Sequence, residues 1–280
     1  MTRRPAPRGT FALVFGAPIP QLGGVSDPYR PRPTREPAFN LPGVVLGSLL
    51  VLAGIHAVRV LLLSAETDVE VLLYFAFIPA RYGTEYAGVL PGGAAADVWT
   101  FVSYALLHGD ITHLAVNCLW LAAFGSAVAW RFGTARFLLF SAAAAAAGAG
   151  LHLFMHEGEL VPMIGASAAI SGQMAAAIRF AFRDGGPLGA IRGQGRAAFQ
   201  APAEGLLEAL RQPQVMIFLL VWFGLNLLFG LGGATIPGAE EADIAWEAHV
   251  GGFLFGLVGF RLFDPIPPAP RLAPGAARRP

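Results

Sequence analysis

Lysine is absent from this chain of 280 residues, cysteine occurs once, and charged residues of both signs make up only 13%. Soluble domains average roughly a quarter charged residues, so the shortage of charge excludes an ordinary water-facing surface. Hydrophobic residues fill the gap at 55%, with a mean hydropathy of +0.58, and a lipid bilayer is the expected solvent. The lone Cys118 excludes an intrachain disulfide, and its place in an apolar run reads as a small buried hydrophobe rather than a reactive thiol. A formal net charge of +1 leaves no polyanion-binding surface, so no nucleic-acid partner is expected. No His-Glu-x-x-His pair occurs and no acid is read inside an apolar span, which leaves a zinc protease without ligands. The Gly-x-Ser-x-Gly elbow of soluble hydrolases is missing at Ser167 as well, because Ala169 stands two positions after it.

What is present is a series of long apolar runs. They predict an all-α polytopic membrane protein with six helices at about 42–63, 111–130, 136–155, 165–182, 214–231 and 244–263, each near the length that crosses a hydrocarbon core. The length leaves room for one membrane domain, residues 42–263, between two Pro/Arg-rich tails, 1–41 and 264–280. The first tail carries six arginines among many prolines, its apolar patch is broken by Pro18, and it is expected to be disordered and retained. An even number of spans puts both termini on one side. If that side is cytoplasmic, 17 of the 19 arginines lie inside, leaving only Arg59 and Arg81 out, as the positive-inside rule demands. Arg59, near the outer end of the first span, is expected to snorkel to the surface. The outer segment 64–99 is rich in aromatic and apolar residues and is expected to lie partly helical at the interface. The inner segment 184–212, rich in Gly, Ala and Arg, reads as a flexible connection. Basicity carried by arginine alone, with much Ala and Gly, fits a GC-rich bacterial genome and hence the inner membrane.

Polar side chains within spans are costly unless they meet one another, so they mark function. The second span holds His113 and Asn117, the fourth Ser167 and Ser171, the fifth Asn226 and the sixth His249. His113 and Asn117 are four residues apart and share a helical face, with His108 just upstream. Ser167 opens the fourth span and His249 sits about five residues into the sixth, so both lie within about 10 Å of the outer surface at 1.5 Å per residue. A serine becomes a competent nucleophile when a histidine takes its proton. Close approach of the two backbones is encoded by small residues at intervals of four: Ala168, Gly172 and Ala176 on one span, Ala248, Gly252 and Gly256 on the other. Asn226 reads as an interhelical hydrogen bond. His152 and His156, near a helix end, have no matching ligands in the sequence.

The segments HGDITHLAVN (His108, His113, Asn117), GASAAISG (Gly165, Ser167) and AHVGG (Ala248, His249, Gly252) occur in this order on a six-span layout. Together they resemble the rhomboid intramembrane serine proteases over residues 42–263. The resemblance implies Ser167 as nucleophile and His249 as base of a dyad without an acid. It implies an oxyanion hole of His113, Asn117 and the Ser167 backbone N–H, with His108, Gly165 and Gly252 in support. It also implies transmembrane proteins as substrates, cut near the outer leaflet, with no cofactor and no metal. A catalytically silent relative that binds client transmembrane helices is the alternative.

Overall fold

The computed structural model describes residues 41–230 and 245–268, apart from residues 87, 190, 192 and 194. The tail 1–40 and the end of the second tail, beyond residue 268, lie outside the described residues. Among the described residues ten α-helices follow one another: α1 Gly43–Leu62, α2 Ala65–Phe75, α3 Gly93–Ser103, α4 Ile111–Trp120, α5 Ser126–Phe132, α6 Thr134–Met155, α7 Ser167–Ala177, α8 Leu206–Leu210, α9 Pro213–Gly230 and α10 Trp246–Phe263. A π-helical turn, Leu121–Gly125, joins α4 to α5 in one continuous rod. Among the described residues there is no strand, only a single antiparallel bridge between Phe77 and Met163.

Each of the six apolar runs contains a helix, but the helices are not equal. Among the described residues three are long and apolar enough to cross a membrane by length and composition: Gly43–Leu62, Ile111–Phe132 and Thr134–Met155. Leu61, Leu62, Leu139, Phe154, Leu220 and Val258 point outward uncovered, an arrangement that lipid tolerates and water does not. The fourth run, expected to be helical over 165–182, forms only eleven α-helical residues in α7. Its next ten residues after Ser167 are all buried. A helix walled in by protein on every side need not reach either lipid surface, so its length is free of the spanning requirement.

The centre is a seam of α6, α7 and α10 in which backbone meets backbone. A Cβ on Gly148 would lie 2.6 Å from the Ala168 methyl and 2.7 Å from the Ala248 carbonyl oxygen. One on Gly172 would lie 2.6 Å from the Ala144 methyl. Gly252 and Gly256 press on the carbonyls of Ala168 and Gly172 so closely that neither has room for a side chain. Small residues thus do in this seam what large ones do in a soluble core, since close approach replaces buried volume as the source of packing energy.

The two rims of the bundle are tied by arginines, and here the structure departs from the sequence reading. Arg59 does not snorkel: it is 8% exposed, with its guanidinium bonded to both oxygens of Asp68 at 2.6 and 3.0 Å and to the His108 carbonyl at 2.9 Å. A carboxylate and a carbonyl within reach satisfy its donors better than a detour to the surface. Arg81 is buried too, and donates to the carbonyls of Leu73 and Pro91. The outer segment therefore folds as α2, a 3-10 turn at Pro79–Tyr82 and α3, in line with the expected partial helix. At the other rim, the segment expected to be a flexible connection is partly docked. Arg131 donates to the Phe199 and Ala201 carbonyls and forms a two-pronged bond with Asp264 at 2.9 and 3.0 Å. Arg179 holds the carbonyls of Glu204 and Leu257. The second tail consequently begins as a docked residue, Asp264, rather than as free chain. A buried guanidinium must find acceptors, and these loops supply them.

Candidate active site

Asp110 caps α4, its carboxylate accepting the His113 backbone N–H at 2.8 Å. The cap sets His113 three residues into the helix. Asn117 follows one turn later, its Nδ2 donating to the His113 carbonyl at 3.0 Å. His108 is buried in the loop before α4, and its ring stands edge-on to His113 with centroids 5.0 Å apart. Burial, reinforced by the neighbouring His113, His56 and Arg59, pushes the His108 imidazole down to about 3, so it is uncharged across the physiological range. Its carbonyl, as described, anchors Arg59.

The segment leading to Ser167 is pinned by backbone bonds to distant segments of the chain. Phe77 and Met163 exchange both backbone hydrogen bonds, at 3.1 and 2.8 Å, and the Gly165 N–H donates to the Tyr104 carbonyl at 3.0 Å. Gly165 has φ of +119°, a conformation that disfavours any side chain. A Cβ there would also lie 2.6 Å from His113 Nε2 and 3.8 Å from Ser167 Oγ. The space between the imidazole and the hydroxyl is kept open because this residue is glycine.

Ser167 is the first residue of α7, and its N-cap, Ala166, offers no side chain to the helix end. The first hydrogen bond of the helix ladder is Ile170 N–H to Ala166 carbonyl at 3.0 Å. The N–H groups of Ser167, Ala168 and Ala169 therefore precede the ladder at the positive end of the helix dipole. Ser167 Oγ and His249 Nε2 are 2.7 Å apart. On the far side of the ring, His249 Nδ1 lies 2.6 Å from Asn226 Oδ1. Asn226 Nδ2 donates to the Trp222 carbonyl at 2.8 Å. A carbonyl only accepts, so the amide nitrogen must face Trp222 and the amide oxygen must face the imidazole. That in turn puts the ring proton on Nδ1 and leaves Nε2 as a lone-pair acceptor for the Ser167 hydroxyl. Such an arrangement can move a proton from hydroxyl to imidazole and hold the resulting charge.

The residues anticipated from sequence thus gather in part. Ser167, His249, Gly165 and His113 meet around one opening. Asn117 and His113 make no hydrogen bond to Ser167 itself, and His108 lies edge-on to the His113 ring. Gly252 presses on the Ala168 carbonyl, which brings α10 against α7 beside the pair. The place of Asn226 against His249 was not legible: sequence marked it only as an interhelical bond. Two readings are corrected outright. An acid does lie within the last span, since Glu247 in α10 is 2% exposed. His152 and His156 do have a partner, and it is that same carboxylate: the ligand atoms of all three lie within 4.8 Å of one another. The pairing of α6 with α10 brings them together across a distance in sequence that no local pattern spans.

No curated protein is similar enough to match. The family model described as Rhomboid domain matches residues 95–263, more than half of the chain and from α3 to the end of α10. Every residue gathered around the Ser167 hydroxyl lies within that stretch. This integral membrane protein, a helical polytopic bundle, belongs to the rhomboid family.

Proposed function

We propose that the protein is an intramembrane serine endopeptidase in which Ser167 is the nucleophile and His249 the general base. The observation that carries this reading is the 2.7 Å contact between Ser167 Oγ and an imidazole nitrogen whose proton state is dictated by Asn226. The Ser167 proton passes to His249 Nε2 as Oγ forms a bond to the scissile carbonyl carbon. The oxyanion is met by the Ser167 N–H at the uncapped start of α7, with His113 and Asn117 as side-chain donors. Each such donor, aimed in advance, is worth about 3–4 kcal/mol in a comparable hole. His249 then gives its proton to the departing amine, the C–N bond breaks, and an acyl-Ser167 remains. Water gives a proton to His249 as its oxygen bonds to the ester carbon, and His249 returns that proton to Ser167 Oγ as the acyl C–O bond breaks.

The substrates are transmembrane segments of partner proteins, cut near the outer leaflet. A continuous helix hides its carbonyls in its own hydrogen bonds, so segments that unwind cheaply are favoured. The reading includes six spans with both termini cytoplasmic, a membrane domain over residues 42–263 between two tails, and residence in a bacterial inner membrane. Its support is the arginine asymmetry and the composition.

A fluorophosphonate, which traps activated serines covalently, tests the proposal on detergent-purified protein. An adduct on Ser167 by mass spectrometry, absent from Ser167→Ala and His249→Ala, is expected. Folded protein that takes up no label would overturn the proposal and leave client binding without cleavage.

A further inference from the structure

Glu247 is the second residue of α10 and lies two residues before His249. Two residues turn a helix by about 200°, so its carboxylate faces away from Ser167, toward α6. There its side-chain partners among the described residues are imidazoles: His152 Nδ1 at 2.5 Å and His156 Nε2 at 3.2 Å. Among the described residues no arginine is paired with it. A buried carboxylate without a fixed cation beside it is costly, so it needs strong partners on this side of the helix.

We infer that His152, His156 and Glu247 form a binding site for a divalent transition cation of the zinc class, joining the end of α6 to the start of α10. His152 and His156 are four residues apart and lie on one face of the helix end, the spacing at which two imidazoles converge on one ion. Tetrahedral coordination at 2.0–2.1 Å requires ligand atoms about 3.3 Å from one another. The two imidazole-to-carboxylate contacts, 2.5 and 3.2 Å, are shorter than that value, and side-chain shifts of about 1 Å would open them to it. The ring of His156 is already oriented from outside: its Nδ1 donates to Glu159 Oε2 at 2.9 Å, the carboxylate-histidine arrangement that fixes the ligating tautomer. The His156 side chain is 31% exposed, which gives the ion a way in and leaves a fourth position to water. Two imidazoles and one carboxylate select zinc-like ions over calcium or magnesium, which prefer oxygen. The site stands across the helix from Ser167 and takes no part in the proposed hydrolysis, so its existence does not depend on that reading.

The test uses full-length protein in detergent, with any purification tag removed and metals stripped by chelator. Zinc chloride is titrated against a chromophoric indicator, and the melting temperature is followed in parallel. One zinc ion per chain with micromolar or tighter affinity is expected, together with a rise in melting temperature that magnesium and calcium do not produce. His156→Ala, at the partly exposed helix end, is expected to weaken binding about 100-fold and to abolish the thermal shift while the chain stays folded. His156→Gln serves the same purpose should the alanine variant misfold. Absence of stoichiometric zinc, or affinity unchanged in the His156 variants, would overturn the site and leave the three side chains as a hydrogen-bonded cluster.

Discussion

Replacing Asn226 with alanine removes the acceptor that faces His249 Nδ1 at 2.6 Å and frees the imidazole to rotate and to exchange tautomers. In the resting state the lost interaction is an ordinary neutral hydrogen bond, worth about 1 kcal/mol net. In the transition state the ring becomes an imidazolium, and a hydrogen bond from a charged donor is worth about 1.5–3 kcal/mol. Allowing for misoriented rings as well, the barrier rises by about 1–3 kcal/mol, or roughly 5- to 150-fold in rate at 1.4 kcal/mol per tenfold. The assay is the second-order rate of fluorophosphonate labelling at Ser167, measured beside the melting temperature so that a purely structural effect is recognised. Asn226→Asp keeps an acceptor oxygen and is expected to label faster than Asn226→Ala. Labelling by Asn226→Ala within twofold of the parent, at an unchanged melting temperature, would refute the view that this amide holds the histidine in its working form.

Gly252→Ala puts a methyl group into the Ala168 carbonyl. Restoring an ordinary contact of roughly 3.4 Å drives α10 from α7 by more than an ångström, enough to break the 2.7 Å bond between Ser167 and His249. Labelling is expected to fall at least tenfold, and an undiminished rate would show that the seam does not set the dyad distance. At the rim away from Arg59, Asp264→Ala leaves the Arg131 guanidinium buried without its counter-ion. The expected cost is about 3–5 kcal/mol, seen as a lower melting temperature, while an unchanged value would mean that the carbonyls of Phe199 and Ala201 suffice.

Much of this molecule could be read from one dimension because lipid imposes simple rules. Apolar runs located α1, the continuous rod of α4 and α5, α6, α9 and α10 to within a few residues, and the rarity of polar side chains in the apolar runs singled out Ser167, His249, His113 and Asn226. The failures share a cause. No acid was read inside a span and His152 and His156 were left without ligands, because their meeting with Glu247 depends on the packing of α6 against α10, 95 residues apart in the chain. Arg59 was expected to snorkel because nothing local announces that Asp68 and the His108 carbonyl fold back over it. The docked inner segment escaped notice for the same reason, since its acceptors are backbone carbonyls, which every residue has and no sequence pattern reveals. The short α7 was overestimated because hydropathy cannot distinguish a helix facing lipid from one sheathed in protein.

That short helix has a consequence for where cutting occurs. Eleven residues amount to about 16 Å, little more than half of a hydrocarbon layer of about 30 Å. On the proposed chemistry, α7 is a depth gauge: it carries the hydroxyl at a fixed level, and a substrate helix is cut where it happens to pass that level. Thinning the bilayer by about 3 Å slides an upright substrate by about two residues at 1.5 Å per residue. Fragment masses from vesicles of graded acyl-chain length should then march along the substrate, whereas an enzyme reading side chains would cut at one bond in all of them.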